Sequence, residues 1–177
     1  QKERYIQPFL DGDIRFSISI SEPGAGSDAA STKTRARRDG NGWVVNGQKL
    51  WCSGAAADNA ILAMLTRTDP DAPKHRGISF VLVDMKSPGV SVRPIINMAG
   101  GHEFNQVTLD NVRVPRANVV GEEDRGWYVA VTLLDFERSG IDYSANGRRL
   151  LDDTWRYAKD TKRDGQILTQ VPWVRNL

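Results

Sequence analysis

From Ile14 to Ser21 the chain alternates strictly. Ile14, Phe16, Ile18 and Ile20 take one set of positions and Arg15, Ser17, Ser19 and Ser21 the other. A period of two marks a strand with one buried face, here the face carrying the isoleucines and Phe16. Thr32 to Arg38 reads as a second strand, and Asp39-Gly40-Asn41-Gly42 turns the chain back into Trp43-Val44-Val45. Asn46-Gly47 predicts another turn, into Gln48 to Ser53, and two hairpin signals so close together argue for an antiparallel meander. Ala60 to Thr66 and Ile78 to Val83 are apolar runs of strand length, joined by an exposed loop from Asp69 to Arg76. A short strand from Val90 to Val92 ends at Pro94, and Gln106 to Val114 completes the series. Six to eight short strands separated by Gly, Asn, Asp and Pro predict a mainly β domain, an antiparallel sandwich or barrel.

The flanks read as helix. Gln1 to Asp13 suits the end of a helix and a turn at Asp11-Gly12-Asp13. Glu122, Glu123 and Asp124 precede a proline-free stretch from about Trp127 to Lys162, and acids suit a helix N-terminus. Ala130, Leu133, Leu134, Glu137, Gly140, Ile141, Ser144, Gly147 and Leu151 form a stripe at helical spacing, and Asp164-Gly165 stops it. The expected organisation is a helix end over 1–13, a β domain over 14–119 and one long helix opening a further helical region over 120–177.

Composition narrows the function classes. With 40% hydrophobic and 26% charged residues in 177, the chain is ordinary for one globular core. A formal charge of +2 gives no reason to expect nucleic acid or an anionic membrane, and the basic runs Lys33 to Arg38 and Lys159 to Arg163 suit a solvated strand face and a helix end. Cys52 is the only cysteine, which excludes an internal disulfide and fits a reducing compartment. No apolar run is long enough to span a bilayer. The chain opens at Gln1 without an initiator Met, so it is expected to be an internal piece. Two histidines and one cysteine supply no metal-ligand cluster, and no hydrolase triad, Walker loop or zinc motif is present.

Two stretches carry candidate chemistry. Ser21-Glu22-Pro23-Gly24-Ala25-Gly26-Ser27-Asp28 follows the first strand, and its glycines let a ligand approach the main chain between two hydroxyls; it would equally serve as a surface turn. In the helical stripe, Glu137 has Leu133, Leu134, Gly140 and Ile141 at three and four residues' distance. A carboxylate there is expected to be partly desolvated and a stronger base, unless it lies at the rim and pairs with Arg138.

The Ser21–Asp28 loop followed by Asn46-Gly47-Gln48-Lys49-Leu50-Trp51-Cys52-Ser53 resembles the middle domain of the acyl-CoA dehydrogenase flavoproteins. The likeness continues through Gly77 to Asp84, Phe104 to Pro115 and Asp135-Phe136-Glu137-Arg138, and so covers most of the chain. It implies FAD as cofactor, with Ile20 and Ser21 at the pyrimidine edge of its ring, Trp51 packed on the ring and Ser53 near N5. Ser27 falls at the substrate's pantetheine or thioester, and Asp135 and Arg138 at the nucleotide end of coenzyme A. A subgroup that includes isovaleryl-CoA dehydrogenase carries its catalytic base one residue before an Arg on the first C-terminal helix. Leu134-Asp135-Phe136-Glu137-Arg138 resembles that context and marks Glu137 as the base. The implied reaction is α,β-desaturation of an acyl-CoA thioester, in a homotetramer or heterotetramer that passes its electrons to an electron-transfer flavoprotein. The implied location is the bacterial cytoplasm, or the mitochondrial matrix in a eukaryote. The alternatives are an oxygen-using oxidase or monooxygenase relative and a non-catalytic or partner-dependent subunit. Where the family places an Arg and a Phe-Gly pair that reach a neighbouring subunit's FAD, this sequence has Lys162-Arg163-Asp164-Gly165-Gln166, without the Phe. The family's site lies between domains this sequence only partly includes, so the chain alone is expected to be inactive and to hold little FAD.

Overall fold

The computed structural model describes residues 2–175. Helix α1 (Lys2–Leu10) is followed by strands β1 (Arg15–Ser19), β2 (Arg35–Asp39), β3 (Gly42–Lys49), β4 (Ala60–Arg67), β5 (Ile78–Asp84), β6 (Val90–Ile96), β7 (His102–Pro115) and β8 (Val119–Val120). Helices α2 (Gly126–Glu137) and α3 (Ile141–Asp160), strands β9 (Lys162–Arg163) and β10 (Gln166–Ile167), and the short helix α4 (Pro172–Arg175) complete it. The chain forms two compact units, residues 1–133 and residues 134–177.

The first unit is the expected mainly β, mainly antiparallel domain. Its eight strands run in the order β6-β7-β3-β2-β4-β5-β8, and β1 lies off this path on β4. The sheet is open rather than a closed barrel, and β4 takes both β1 and β2 in parallel. Strands β4 and β5 explain why these two segments read as unbroken apolar runs: both faces of the pair are covered. Leu62, Met64, Val81 and Val83 face one core with Val45, Val107, Leu109, Val112 and Val114. Ile61, Ala63, Leu65, Ile78, Phe80 and Leu82 face a second core with Tyr5 of α1 and Ala130 of α2.

This two-core arrangement covers both faces of β1, with Ile14, Phe16 and Ile20 half-buried against the second core. Ser17 and Ser19 are the buried residues, Ile18 is 38% exposed, and Phe16 is half-buried. The strand is where its alternation put it, but the serines occupy the close-packed side and the large side chains line a groove. Tyr5, Ile6, Phe9, Phe16, Ile18 and Phe80 share that groove of about 540 Å³, with Phe16 against the rings of Phe9 and Tyr5.

Asn46-Gly47 is not a turn. It lies inside β3, where the pairing with β7 shifts register between Val45 and Gly47. The glycine is needed because β3 passes hard against Thr34: a Cβ at residue 47 would fall 2.5 Å from Thr34 Oγ1 and 2.6 Å from its Cα. Gly47→Ala is expected to destabilise the protein by about 3 kcal/mol through overpacking, measured by urea unfolding; a change under about 0.5 kcal/mol would mean the strands can separate freely there.

Other boundaries shift for similar reasons. β6 runs through Pro94 to Ile96 because it is an edge strand, where a missing N–H is tolerated. β2 begins only at Arg35, after a 3-10 turn at Ala29–Ser31. The proline-free stretch after residue 126 is divided, with α2 ending at Glu137 and α3 beginning after Gly140, whose φ of 55° is left-handed. In the second unit, Asp164 and Gly165 both have positive φ and close the β9–β10 hairpin, a pairing of residues the twist of a two-residue loop favours. No helix among the described residues is long and apolar enough to cross a membrane.

Candidate functional site

The two motif segments meet at one corner of the first unit. The Leu50 N–H donates to Ser21 O at 3.0 Å, which ties the end of β1's connection to the end of β3. Beneath this contact lies a buried ion pair. Lys49 Nζ sits 2.8 Å from Glu22 Oε1 and 3.2 Å from Thr32 Oγ1, and reaches Ile20 O at 3.5 Å. The Lys49 side chain is fully buried and that of Glu22 is 5% exposed.

Glu22 is saturated with donors. The Thr32 hydroxyl donates to Oε1, as does the Thr34 N–H at 3.0 Å, and the Lys33 N–H donates to Oε2 at 2.7 Å. The delayed start of β2 is thus explained, since Lys33 and Thr34 spend their amides, and Thr32 its hydroxyl, on this carboxylate. Burial alone would raise the Glu22 carboxyl, but the Lys49 ammonium and the hydrogen bonds from Lys49, Thr32 and Thr34 outweigh it and hold the group down at about 2. The same burial draws the Lys49 ammonium below its ordinary value, against the opposing pull of Glu22. Such a pair adds little net stability over an apolar replacement but penalises any register that leaves one charge alone.

Above the pair the surface is presented outward. Trp51 is 56% exposed, although its φ of 60° is an unusual conformation for a bulky residue. The ring of Phe104 meets its indole edge-on, with centroids 6.0 Å apart. Ile20 and Ser21 are half-buried beside it, and Ser53 is exposed. Between them Cys52 is fully buried, and burial pushes its thiol up, so it packs as a neutral side chain. An exposed indole, an adjacent strand end and two hydroxyls suit a flat ring with polar atoms on its rim. Ile20, Ser21, Trp51 and Ser53, taken from separate stretches of sequence, are therefore brought to one edge.

Ser27 is exposed beyond the tight turn in which Glu22 and Ala25 exchange backbone hydrogen bonds. Its neighbour Asp28 takes a hydrogen bond from Ser31 Oγ at 2.6 Å and an ion pair from Lys74 at 2.5 Å. Glu137, Asp135 and Arg138 are all exposed at the end of α2 and just after it. The expected desolvation of Glu137 is not found in the chain itself, because α2 stops there and Gly140 and Ile141 do not continue its stripe. Among the described residues no ion pair joins Asp135 to Arg138. Two of the acids before α2 serve the β domain: Glu123 pairs with Arg38, and Asp124 accepts from Thr68 Oγ1 at 2.5 Å.

Sequence reading passed over Lys49 as a partner for Glu22, and gave no role to His102 or Asn105. Asn105 is 2% exposed and bonds Cys52 twice: the Cys52 N–H donates to Asn105 O at 2.9 Å, and Asn105 Nδ2 donates to Cys52 O at 3.0 Å. His102 Nε2 lies 2.7 Å from Asn105 Oδ1. A Lys inside an otherwise apolar-facing strand, and an Asn before a Val-Thr-Leu run, were the only local signals.

Comparison with known proteins adds the following. The family model for the acyl-CoA dehydrogenase middle domain matches residues 17–112. Acyl-CoA dehydrogenase FadE34 of Mycobacterium tuberculosis is 48% identical over 139 residues, 78% of this chain and 19% of its own length. The structure titled Tcur3481-Tcur3483 steroid ACAD superposes with a TM-score of 0.81 at 42% identity, covering 99% of this chain and 44% of that one. The ChsE4-ChsE5 complex from Mycobacterium tuberculosis does so with a TM-score of 0.79 at 39% identity, covering 99% and 45%. This chain thus spans less than half the length of each.

Proposed function

Because the chain belongs to the acyl-CoA dehydrogenase family, we propose that the full-length protein carrying it oxidises an acyl-CoA thioester to its α,β-unsaturated product. The observation that carries this reading is the meeting of Ile20–Glu22 with Lys49–Ser53 at one edge, where an exposed indole and two hydroxyls are set on a buried ion pair. Ile20, Ser21, Trp51 and Ser53 would hold FAD there. Bound FAD supplies the acceptor for the hydride that leaves the β-carbon.

The chain's own residues do the rest. Glu137 takes the proton from the α-carbon, whose acidity the thioester carbonyl provides. Ser27 orients the pantetheine or thioester, and Asp135 and Arg138 hold the nucleotide end of coenzyme A, for which a planar guanidinium suits both phosphate and a stacked base. Electrons leave to an electron-transfer flavoprotein, and the assembly is a tetramer. The test is a panel of short, branched and sterol-derived acyl-CoAs mixed anaerobically with the full-length protein. At least one is expected to bleach the flavin absorbance. A protein without flavin, or one bleached by none of the panel, would overturn the reading.

A second reading is a partner-dependent subunit of such an enzyme. It is favoured by the Lys162–Ile167 segment, a tight hairpin without the family's Phe, and by the likeness to a complex of two named components. Bleaching that appears only after a second polypeptide is added would select it.

A further inference from the structure

A strand alternates its side chains, so residues three apart point to opposite faces. His102 and Asn105 break that rule. β6 pairs Ile95 with Phe104 and Ile96 with His102, and the shift leaves Glu103 as an extra residue in β7. This bulge turns His102 and Asn105 to the same side, where Nε2 and Oδ1 lie 2.7 Å apart. The hydrogen-bond roles then follow in sequence. The Cys52 carbonyl can only accept, so the Asn105 amide nitrogen faces it, and Oδ1 is left toward the imidazole. An amide oxygen also only accepts, so His102 Nε2 carries a proton.

We propose that Asn105 and His102 are positioning residues for the Trp51–Ser53 corner, a role that rests on the proposed flavin function. Asn105 grips the Cys52 peptide from both ends with its main-chain oxygen and its side-chain amide, while His102 fixes the rotation of that amide. Cys52 lies between the two residues proposed to meet the ring, so its two flanking peptides cannot rotate without breaking one of these bonds. Phe104, next along β7, closes on the edge of the Trp51 indole. The left-handed backbone at Trp51, just beyond the end of β3, is thereby held from β7.

The test uses the full-length holoenzyme with Asn105→Ala, His102→Leu and His102→Gln, and with Val112→Ala, further along β7, as a destabilised core control. Amide hydrogen exchange of the 50–54 segment and the flavin dissociation constant, visible band and midpoint potential are measured well below the unfolding temperature. Asn105→Ala is expected to speed exchange at Cys52 and to weaken flavin binding, each about 10-fold, and to shift the band and potential. His102→Leu shifts them in the same direction by less, and His102→Gln, which can still donate to Oδ1, restores wild-type values. Val112→Ala leaves the band and potential in place. Unchanged exchange in both Asn105→Ala and His102→Leu would overturn the grip itself. Faster exchange with unmoved flavin properties, or the same shifts in Val112→Ala, would overturn the positioning role. Wild-type protein that holds no flavin would refute the proposed function and the positioning role with it, leaving the exchange result to report a purely structural clasp.

Discussion

Glu137→Gln in the full-length protein is expected to lower turnover by about 100- to 10,000-fold while leaving flavin binding and the Michaelis constant close to wild type. Glutamine keeps the length and shape of the side chain but cannot accept a proton at neutral pH. The loss would therefore fall on the proton-transfer step and spare binding. Steady-state kinetics beside a flavin absorbance spectrum separates the two. Helix α2 packs in the first unit through Ala130, Trp127, Val129 and Leu133, and Glu137 is exposed at its end. Near-normal turnover would assign the base to another carboxylate of the full-length protein and leave Glu137 as an exposed helix-end residue.

Lys49→Met is expected to be the most destabilising single change in the β domain. It removes the cation but leaves Glu22 buried against the Thr32 hydroxyl and the amides of Lys33 and Thr34. Breaking one side of a buried pair costs about 3–5 kcal/mol, which for a chain of this size lowers Tm by roughly 6–20 °C. The double variant Glu22→Gln/Lys49→Met should recover most of that loss, because no charge is then stranded. The pair also fixes the acid limb of stability. Glu22 titrates near its ordinary value of 4.5 when unfolded and at about 2 when folded, so its contribution is complete above 4.5 and disappears as the pH falls toward 2. Urea unfolding of wild type and both variants between pH 7 and pH 2 measures both effects. A single variant within about 1 kcal/mol of wild type, or a double variant no better than the single, would show that the ion pair does not set this register.

How much of this was legible in the sequence depends on how local each cause is. The Asp39–Gly42 hairpin and the apolar runs 60–66 and 78–83 follow from neighbouring residues, and each run forms a strand one residue longer. The deep burial of Ser17 and Ser19 on the other side of β1 does not, because alternation reports that two sides differ and not which core each side meets. With β4 apolar on both faces, either assignment buries something. Asn46-Gly47 has the composition of a tight turn, yet the close passage of Thr34 uses the same glycine for a bulge. The motif positions at the corner were legible through resemblance. What supports them was not: the partner of Glu22 is 27 residues away, and the partner of Cys52 is 53 away. No local window contains either pair.

That last separation bears on how the molecule is made. Every bond that shapes the Glu22–Lys49 pair joins residues in the first fifty of the chain. The Trp51–Cys52 segment, by contrast, is held from β7: Phe104 meets the indole, and Asn105, backed by His102, bonds Cys52. During ribosomal synthesis, which releases the N-terminal part first, the floor of the corner can therefore form early. Its aromatic wall stays unfastened until the seventh strand has left the exit tunnel.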